Sequence, residues 1–378
     1  MTNLSEQEYH IRDAAIADAG EISALLVGLG LNMPDGPDAL RLHWRQMWID
    51  NPAMKDAETK PMIGKVLEKD GAVVGFFGNI PLLYFFGDKR VSLNAAIHWG
   101  VKKEARTQTA RLADAYFDQP AADVLLVTTT NRAAGRLFLE NGFMSVPQPD
   151  YDKALYWVTG AAGFLEAALR KKNLPSALAV TLAEVGGLLA TLAMAVTRRR
   201  PKSADHTVEI IGVSDIDDSF DDLWAAKRGE STKLLACRSA DSLRWHFGVE
   251  SLAQRCQFLV YRDQGLKGYA AVLRQDSPGI GLKRLRIVDL FVAADDEAVI
   301  DALLCKAYEF AKQTGCHVLE VIGLPAVLRR RILRHRPFTR RMPTWPLYYR
   351  PGKGRLAGEL EQETAWYVTS YDGDTSLL

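Results

Sequence analysis

The chain has 378 residues, 48% of them hydrophobic, with 47 basic against 46 acidic side chains and a formal net charge of +1. That balance excludes a general nucleic-acid coat, so any basic surface has to be local, and the length allows two or three domains with sizeable cores. The four cysteines, Cys237, Cys256, Cys305 and Cys316, form no C-x-x-C and pair with no histidine at metal spacing, so they read as reduced thiols and no metal site is expected.

In chain order, MTNLSEQEYHIRD has neither the basic region nor the apolar run of an export signal, which sets the expectation of a cytoplasmic protein. A short strand then leads into a helix that Asp18 is placed to cap, with Ile22, Leu25, Leu26 and Leu29 on one face. A second helix carries Leu40, Trp44, Met47 and Trp48 and ends before Pro52. Residues 62–101 read as three antiparallel strands joined by turns at Asp70-Gly71 and Gly87-Asp88. TARLADAYF is a further helix, DVLLVTTT a strand, and NRAAGRLFLENGF a helix with Asn131 as N-cap and Asn141-Gly142 as its stop.

The plan repeats. DALRLHW (Asp38 to Trp44) returns as DSLRWHF (Asp241 to Phe247), and GAVVGFF (Gly71 to Phe77) is echoed by GLKGYAA (Gly265 to Ala271), in the same order. We read two α+β domains of similar topology, residues 1–155 and 205–350, with a linker at 156–204 and a tail at 351–378. In the linker, Leu178, Leu182, Val185, Leu189, Leu192 and Val196 recur at helical steps opposite a face of Ala, Gly and Thr. This is a helix buried between the domains, a single membrane span, which would put the two halves on opposite sides, or a helix lying in a membrane interface, where Leu178, Leu182 and Leu189 would enter lipid. Arg198, Arg199 and Arg200 would then pair with anionic headgroups, on the inner membrane face. RRRILRHRPFTRR, Arg329 to Arg341, reads as a solvated helix face, a phosphate site or a second lipid contact. The tail reads as a flexible acidic terminus or, through Asp372 and Asp374, a place for an ammonium group.

The order strand, helix, helix, meander, helix, strand, helix, Gly-Phe resembles the GNAT superfamily of acyl-CoA-dependent N-acyltransferases. IRDAAIADAGEI is similar to the family's opening strand and helix, and NRAAGRLFLENGF to its segment after the fifth strand. The resemblance covers residues 10–150 well and the second half in outline. It implies two tandem GNAT-like domains, each a mixed, mostly antiparallel sheet flanked by helices, as in two-domain members among bacterial envelope-biosynthesis proteins. It also implies a fourth strand splayed from the fifth, into which the pantetheine amides of acyl-CoA bond, with the pyrophosphate on the next helix N-terminus. Val101, Arg106, Thr107, Gln108, Thr109, Arg111, Asn131 and Phe138 are the donor-binding positions so implied. Thr109 and Arg111 stand where the family has two small residues that let backbone approach a phosphate. The matching place in the second half is acidic, DLFVAADDEA, so the donor is expected on the first half.

The implied reaction needs a neutral amine. An alkylammonium with pKa near 10.4 is only about 0.04% neutral at pH 7, a penalty of roughly 4.6 kcal/mol that a general base reduces. His98, on the fourth strand, is the candidate base; its other reading is a structural strand histidine. His43 and His246, at equivalent places in the repeated helix, read as structural. Tyr84 or Tyr116 would assist thiolate departure, since Phe138 stands where the family often has tyrosine. The expected acceptor is a lipid-linked or long-chain amine, with a sphingoid base acylated by a GNAT-type ceramide synthase as one candidate. A long-chain donor, with about 14 more methylenes than acetyl, would gain on the order of 11 kcal/mol if all were buried. Short-chain acylation of an amino sugar and a non-catalytic binding protein are the alternatives.

Overall fold

A computed structural model describes residues 9–377 except 56–60, 131, 174–179, 181–182, 184–185, 188–199, 202–206, 231, 343–346 and 353–355. The chain opens with β1 (His10–Asp13), α1 (Ala19–Gly28), α2 (Pro37–Trp48) and α3 (Pro52–Lys55). The expected meander follows as β2 (Gly64–Lys69), β3 (Ala72–Phe86) and β4 (Lys89–Val101). Asp70 and Gly71 both have positive φ, as a two-residue hairpin turn needs. Asp18 does not cap α1: its carboxylate takes the Ala15 amide at 2.7 Å and both terminal nitrogens of Arg12. Then come α4 (Thr109–Phe117), β5 (Val124–Val127), α5 (Arg132–Glu140), β6 (Met144–Ser145), β7 (Lys153–Val158) and α6 (Ala161–Lys171).

The second half runs β8 (Val208–Ile211), α7 (Ser219–Glu230), β9 (Leu234–Ala236), α8 (Ala240–Phe247), α9 (Glu250–Ala253), β10 (Cys256–Arg262), β11 (Leu266–Arg274) and β12 (Arg284–Val292). It ends with α10 (Glu297–Gln313), β13 (Val318–Val321), α11 (Ala326–Leu333), β14 (Phe338–Arg341) and β15 (Tyr348–Pro351).

These strands build two mixed sheets, ordered β1-β2-β3-β4-β5-β15-β6 with β9 also on β3, and β14-β7-β13-β12-β11-β10-β8. The halves therefore exchange strands: β7 goes to the second sheet, and β15 and β9 come to the first. β7 leaves the first sheet and lies between β13 and β14, burying Leu155 and Trp157 completely. In return β15 inserts between β5 and β6, with Tyr349 opposite Leu126. The long strand β3 is shared along its other edge, since β2 pairs with Ala72 to Gly78 and β9 with Tyr84 to Phe86. Pro81 falls in the gap, where no neighbouring strand needs its missing N–H.

The repeated helices meet reciprocally: Gln46 donates to the Trp245 carbonyl at 3.2 Å, and the Trp245 indole to the Gln46 carbonyl at 2.8 Å. The i,i+3 pairs Asp38–Arg41 and Asp241–Arg244 recur in both. The segment after β15 is not a loose terminus, for Trp366 to Asp374 are all buried. It runs between the two halves on a fully enclosed guanidinium. Arg238 donates to Asp289 through two nitrogens at 2.9 and 3.1 Å and to Asp372 at 3.3 Å, and stacks on Phe291, Tyr367 and Tyr371.

Of the linker's membrane-facing candidates, Leu178, Leu182, Leu189, Arg198 and Arg199 lie outside the described residues, and Arg200 is exposed. Gly186 and Gly187 pack on α6: a Cβ on Gly187 would come within 2.8 Å of Ala162, and one on Gly186 within 2.7 Å of Leu165. Among the described residues no helix is long and apolar enough to cross a membrane. The arginines of 329–341 are largely taken up internally, Arg331 by Glu297 and Asp301, Arg340 by Glu320, and Arg341 by Asp152 at 3.0 Å. All four cysteines are free thiols, three of them buried.

Removing one partner of a buried pair strands the others. Arg238→Leu should therefore lower the unfolding free energy by about 3–5 kcal/mol in urea titrations; a loss under about 1 kcal/mol would show that the guanidinium does not hold the halves together.

Candidate functional site

The first sheet is covered on one face by α1 and α2, whose Ile22, Leu26, Trp44 and Trp48 pack on Phe76, Ile80 and Ile97. On the other face α4 and α5 set Tyr116, Phe117 and Phe138 against Phe77 and Trp99. Alternation along β4 breaks once. Phe77 pairs with Trp99 and Gly78 with Ile97, so His98 is an extra residue, held at φ +47°. Gly78 makes the close approach possible, since a Cβ there would sit 2.8 Å from the Ile97 carbonyl. A left-handed residue of this kind costs about 1–3 kcal/mol and tends to mark a working site.

The bulge turns His98 towards α2. Its Nε2 lies 3.3 Å from Nε2 of His43, and the Trp44 ring stands edge-on to both. Burial pushes His98 down to about 3, with His43 adding to the effect, and burial alone pushes His43 down to about 4. Both rings are thus neutral at pH 7, one Nε2 carrying the shared hydrogen and the other accepting it. His43 also lines a cleft of about 670 Å³ between α2 and α9, with Met33, Leu42, Gln46, Leu252 and Leu377.

On the opposite edge β4 is free. It pairs in parallel with β5 only from Leu93 to Ala95, and beyond Ala95 its outer edge has no strand partner among the described residues. The buried Trp99 indole N–H at this splay has no hydrogen-bond partner among the described residues. Past Val101 the chain winds as a 3₁₀ turn, Lys103–Gln108, directly into α4. There is no glycine loop. Thr109 donates to the Arg106 carbonyl at 2.8 Å and Arg111 to Gln108 at 2.6 Å. What replaces it is charge: Lys102, Lys103, Arg106 and Arg111 make no ion pair among the described residues. Lys102 and Lys103 line a cleft of about 480 Å³ against α1.

The structure brings together His98 and His43, and separately Val101, Arg106, Gln108, Thr109 and Arg111, with exposed Thr107 beside them. It sets the other candidates in different surroundings. Tyr84 and Tyr116 were expected near the leaving thiolate, yet both are 1% exposed and already donate their protons, Tyr84 to Asp372 at 2.7 Å and Tyr116 to Asn79 at 3.1 Å. Phe138 is a core ring, 2% exposed and packed on Phe143 and Phe117. Asn131 lies outside the described residues. Sequence reasoning read His43 as structural together with its repeat mate His246; His246 bonds Ser376 at 2.8 Å, whereas His43 faces His98. It also missed Lys102 and Lys103, although both directly follow Val101.

The second half repeats the frame without the opening. β12 has its bulge at Val288, between the pairs Ala271–Asp289 and Val272–Ile287, and leaves β13 after Ile287. The buried tail closes this splay: the Tyr367 hydroxyl donates to the Leu290 carbonyl at 2.7 Å and the Ser370 hydroxyl to the Ile322 carbonyl at 2.9 Å. The helix N-terminus that would face an anion already has one, for Asp296 accepts from Ala298 and Val299.

No protein-family model matches the sequence, and no curated protein does. Solved structures do match. One is a conserved Enterococcus faecalis protein of unknown function described as a probable N-acyltransferase, at TM-score 0.58 and 10% identity over 91% of this chain and 72% of that one. A GCN5-related N-acetyltransferase from Anabaena variabilis matches at TM-score 0.57 and 10% identity, over 91% and 73%. Another from Kribbella flavida matches at TM-score 0.55 and 11% identity, over 93% and 72%. The fold is that of the GCN5-related N-acetyltransferases, present as two such units in tandem.

His98 titrates far lower folded than the usual 6.5, so the unfolded chain binds its proton more tightly and stability must fall as pH drops below about 6.5. His98→Gln should flatten that fall by roughly 1 kcal/mol per pH unit between pH 6 and 4 in denaturant titrations. An unchanged slope would mean that the folded imidazole is not held neutral.

Proposed function

We propose that the first half transfers an acyl group from an acyl-CoA thioester to an amine. The free edge of β4 beyond Ala95 carries this reading: unpaired backbone amides in an otherwise complete sheet suit a ligand that is itself a chain of amides, as the pantetheine arm is. The orphan indole N–H of Trp99 supplies one more donor beside it. At the end of that edge, four basic side chains that make no ion pair among the described residues, beside Glu104, suit a polyphosphate, and charge does there what glycine does in the family's loop.

On the other face, His98 acts as base. An amine whose nitrogen attacks the thioester carbonyl must lose a proton as the C–N bond forms and the C–S bond breaks, and that proton ends on the departing sulfur. A neutral imidazole can take it, and the second ring shares the charge through a charge-assisted hydrogen bond. The cleft beside His43 is the acceptor side. Its Met33, Leu42, Val249, Leu252 and Leu377 favour a lipid-linked or long-chain amine, of which a sphingoid base is one. Asn32, Asp35 and Gln46 on the same cleft support the second reading, an amino sugar. A place on an anionic membrane surface has exposed Arg200 and Val180 in its favour.

The test is calorimetric titration with CoA, acetyl-CoA and palmitoyl-CoA, the last below its micelle concentration. Saturable binding of acyl-CoA is expected, tighter for palmitoyl-CoA if the acceptor is a lipid amine and for acetyl-CoA if it is an amino sugar. No binding of any of the three would end the acyl-transfer reading. With a donor in hand, His98→Ala should lower turnover at least tenfold while donor affinity stays within twofold; unchanged turnover removes His98 from the reaction.

A further inference from the structure

Two acidic residues of the tail differ in what surrounds them. Asp372 is neutralised by Arg238 and accepts from Tyr84 and the Thr369 amide. Asp374 is as deeply buried, 1% exposed, but its partners are neutral: the hydroxyls of Thr128 and Thr129 and its own backbone amide donate to it, and no cation among the described residues pairs with it. A carboxylate offers about four acceptor positions, so these three donors leave one open. A buried charge without a counterion is costly, and a fold retains one where something else supplies the missing charge.

Its position says what that is. Thr128 and Thr129 directly follow β5, at the splay from β4, and the backbone comes so close there that a Cβ on Gly373 would sit 2.4 Å from the Thr128 hydroxyl. Thr129 is exposed, so the carboxylate lies one side chain below the surface. Two residues on, Ser376 bonds His246, and Leu377 reaches the cleft that His43 lines. We propose that Asp374, oriented by Thr128 and Thr129, binds a primary ammonium group, that of the amine to be acylated. The ligand's role rests on the acyl-transfer reading; its binding does not, and is measured without donor.

Burial pushes Asp374 up to about 6, so it is partly protonated just below neutrality, and an arriving ammonium expels that proton. Among the described residues around it, Tyr116 on α4 senses its charge, and Thr128 and Thr129, just after β5, do not titrate. The probe is n-hexylammonium chloride, titrated at pH 6 in buffers of different ionisation enthalpy, with 1-hexanol as the uncharged control. We expect saturable binding of the ammonium with release of about half a proton, and at least tenfold weaker binding of hexanol.

Asp374→Asn keeps the shape and should abolish the proton release and weaken hexylammonium at least tenfold, without lowering the melting temperature. Thr129→Val, at an exposed position that leaves the fold intact, should weaken it about threefold. Equal binding by wild type and Asp374→Asn, equal binding of hexanol, or no binding of hexylammonium overturns the proposal. Acyl-CoA titrations of the same proteins separate that failure from failure of the donor site.

Discussion

A guanidinium sealed from water cannot give up its proton, so Arg238 dictates its surroundings. It requires two carboxylates, Asp289 from the second sheet and Asp372 from the tail, and it takes the carbonyl of Ala236 on a strand that pairs with the first sheet. One side chain thus joins three parts of the chain that are distant in sequence. The aromatic rings of Phe291, Tyr367 and Tyr371 around it hold the apolar side of the same contact. Everything that makes the halves unequal follows from the tail being fixed in this way.

The inequality is chemical. Both halves carry a bulged strand that diverges from its parallel neighbour, a frame that leaves backbone groups to be satisfied by something from outside the sheet. In the second half the tail satisfies them with hydroxyls and side chains, and Asp296 takes the helix end. In the first half the edge of β4 beyond Ala95 has no strand partner among the described residues, and the bulge presents a histidine instead of valine. A duplicated fold has kept one opening and filled the other with its own chain.

Much of this was legible in the sequence. Turn residues such as Asp70-Gly71, the apolar spacing of the first two helices and the ordered repeat led to the two α+β units, because each is a local signal with a local cause. Non-local facts were not. Nothing in KALYWV marks it as a strand for the other sheet, since both sheets bury the same alternation of apolar side chains. The acidic, Gly-containing tail reads as solvated, and only the positions of Arg238, Thr128 and Thr129 make its carboxylates interior groups. The site divided likewise. His98 was visible from its strand, while its partner His43 depends on a bulge that redirects one side chain, and bulges leave little trace in composition.

The exchange of β7 and β15 also sets an order on synthesis. β5 has no neighbour on its outer edge until Tyr348 to Pro351 have left the ribosome, and β7 has nowhere to pair until Val318 to Val321 have. The first sheet therefore waits, with a strand edge open, while the whole second half is translated. Closing a contact from Val127 to Tyr348 makes the final assembly slow by topology alone, whatever the stability of either core. A nascent chain of this kind is most exposed to pairing with the wrong edge in that interval.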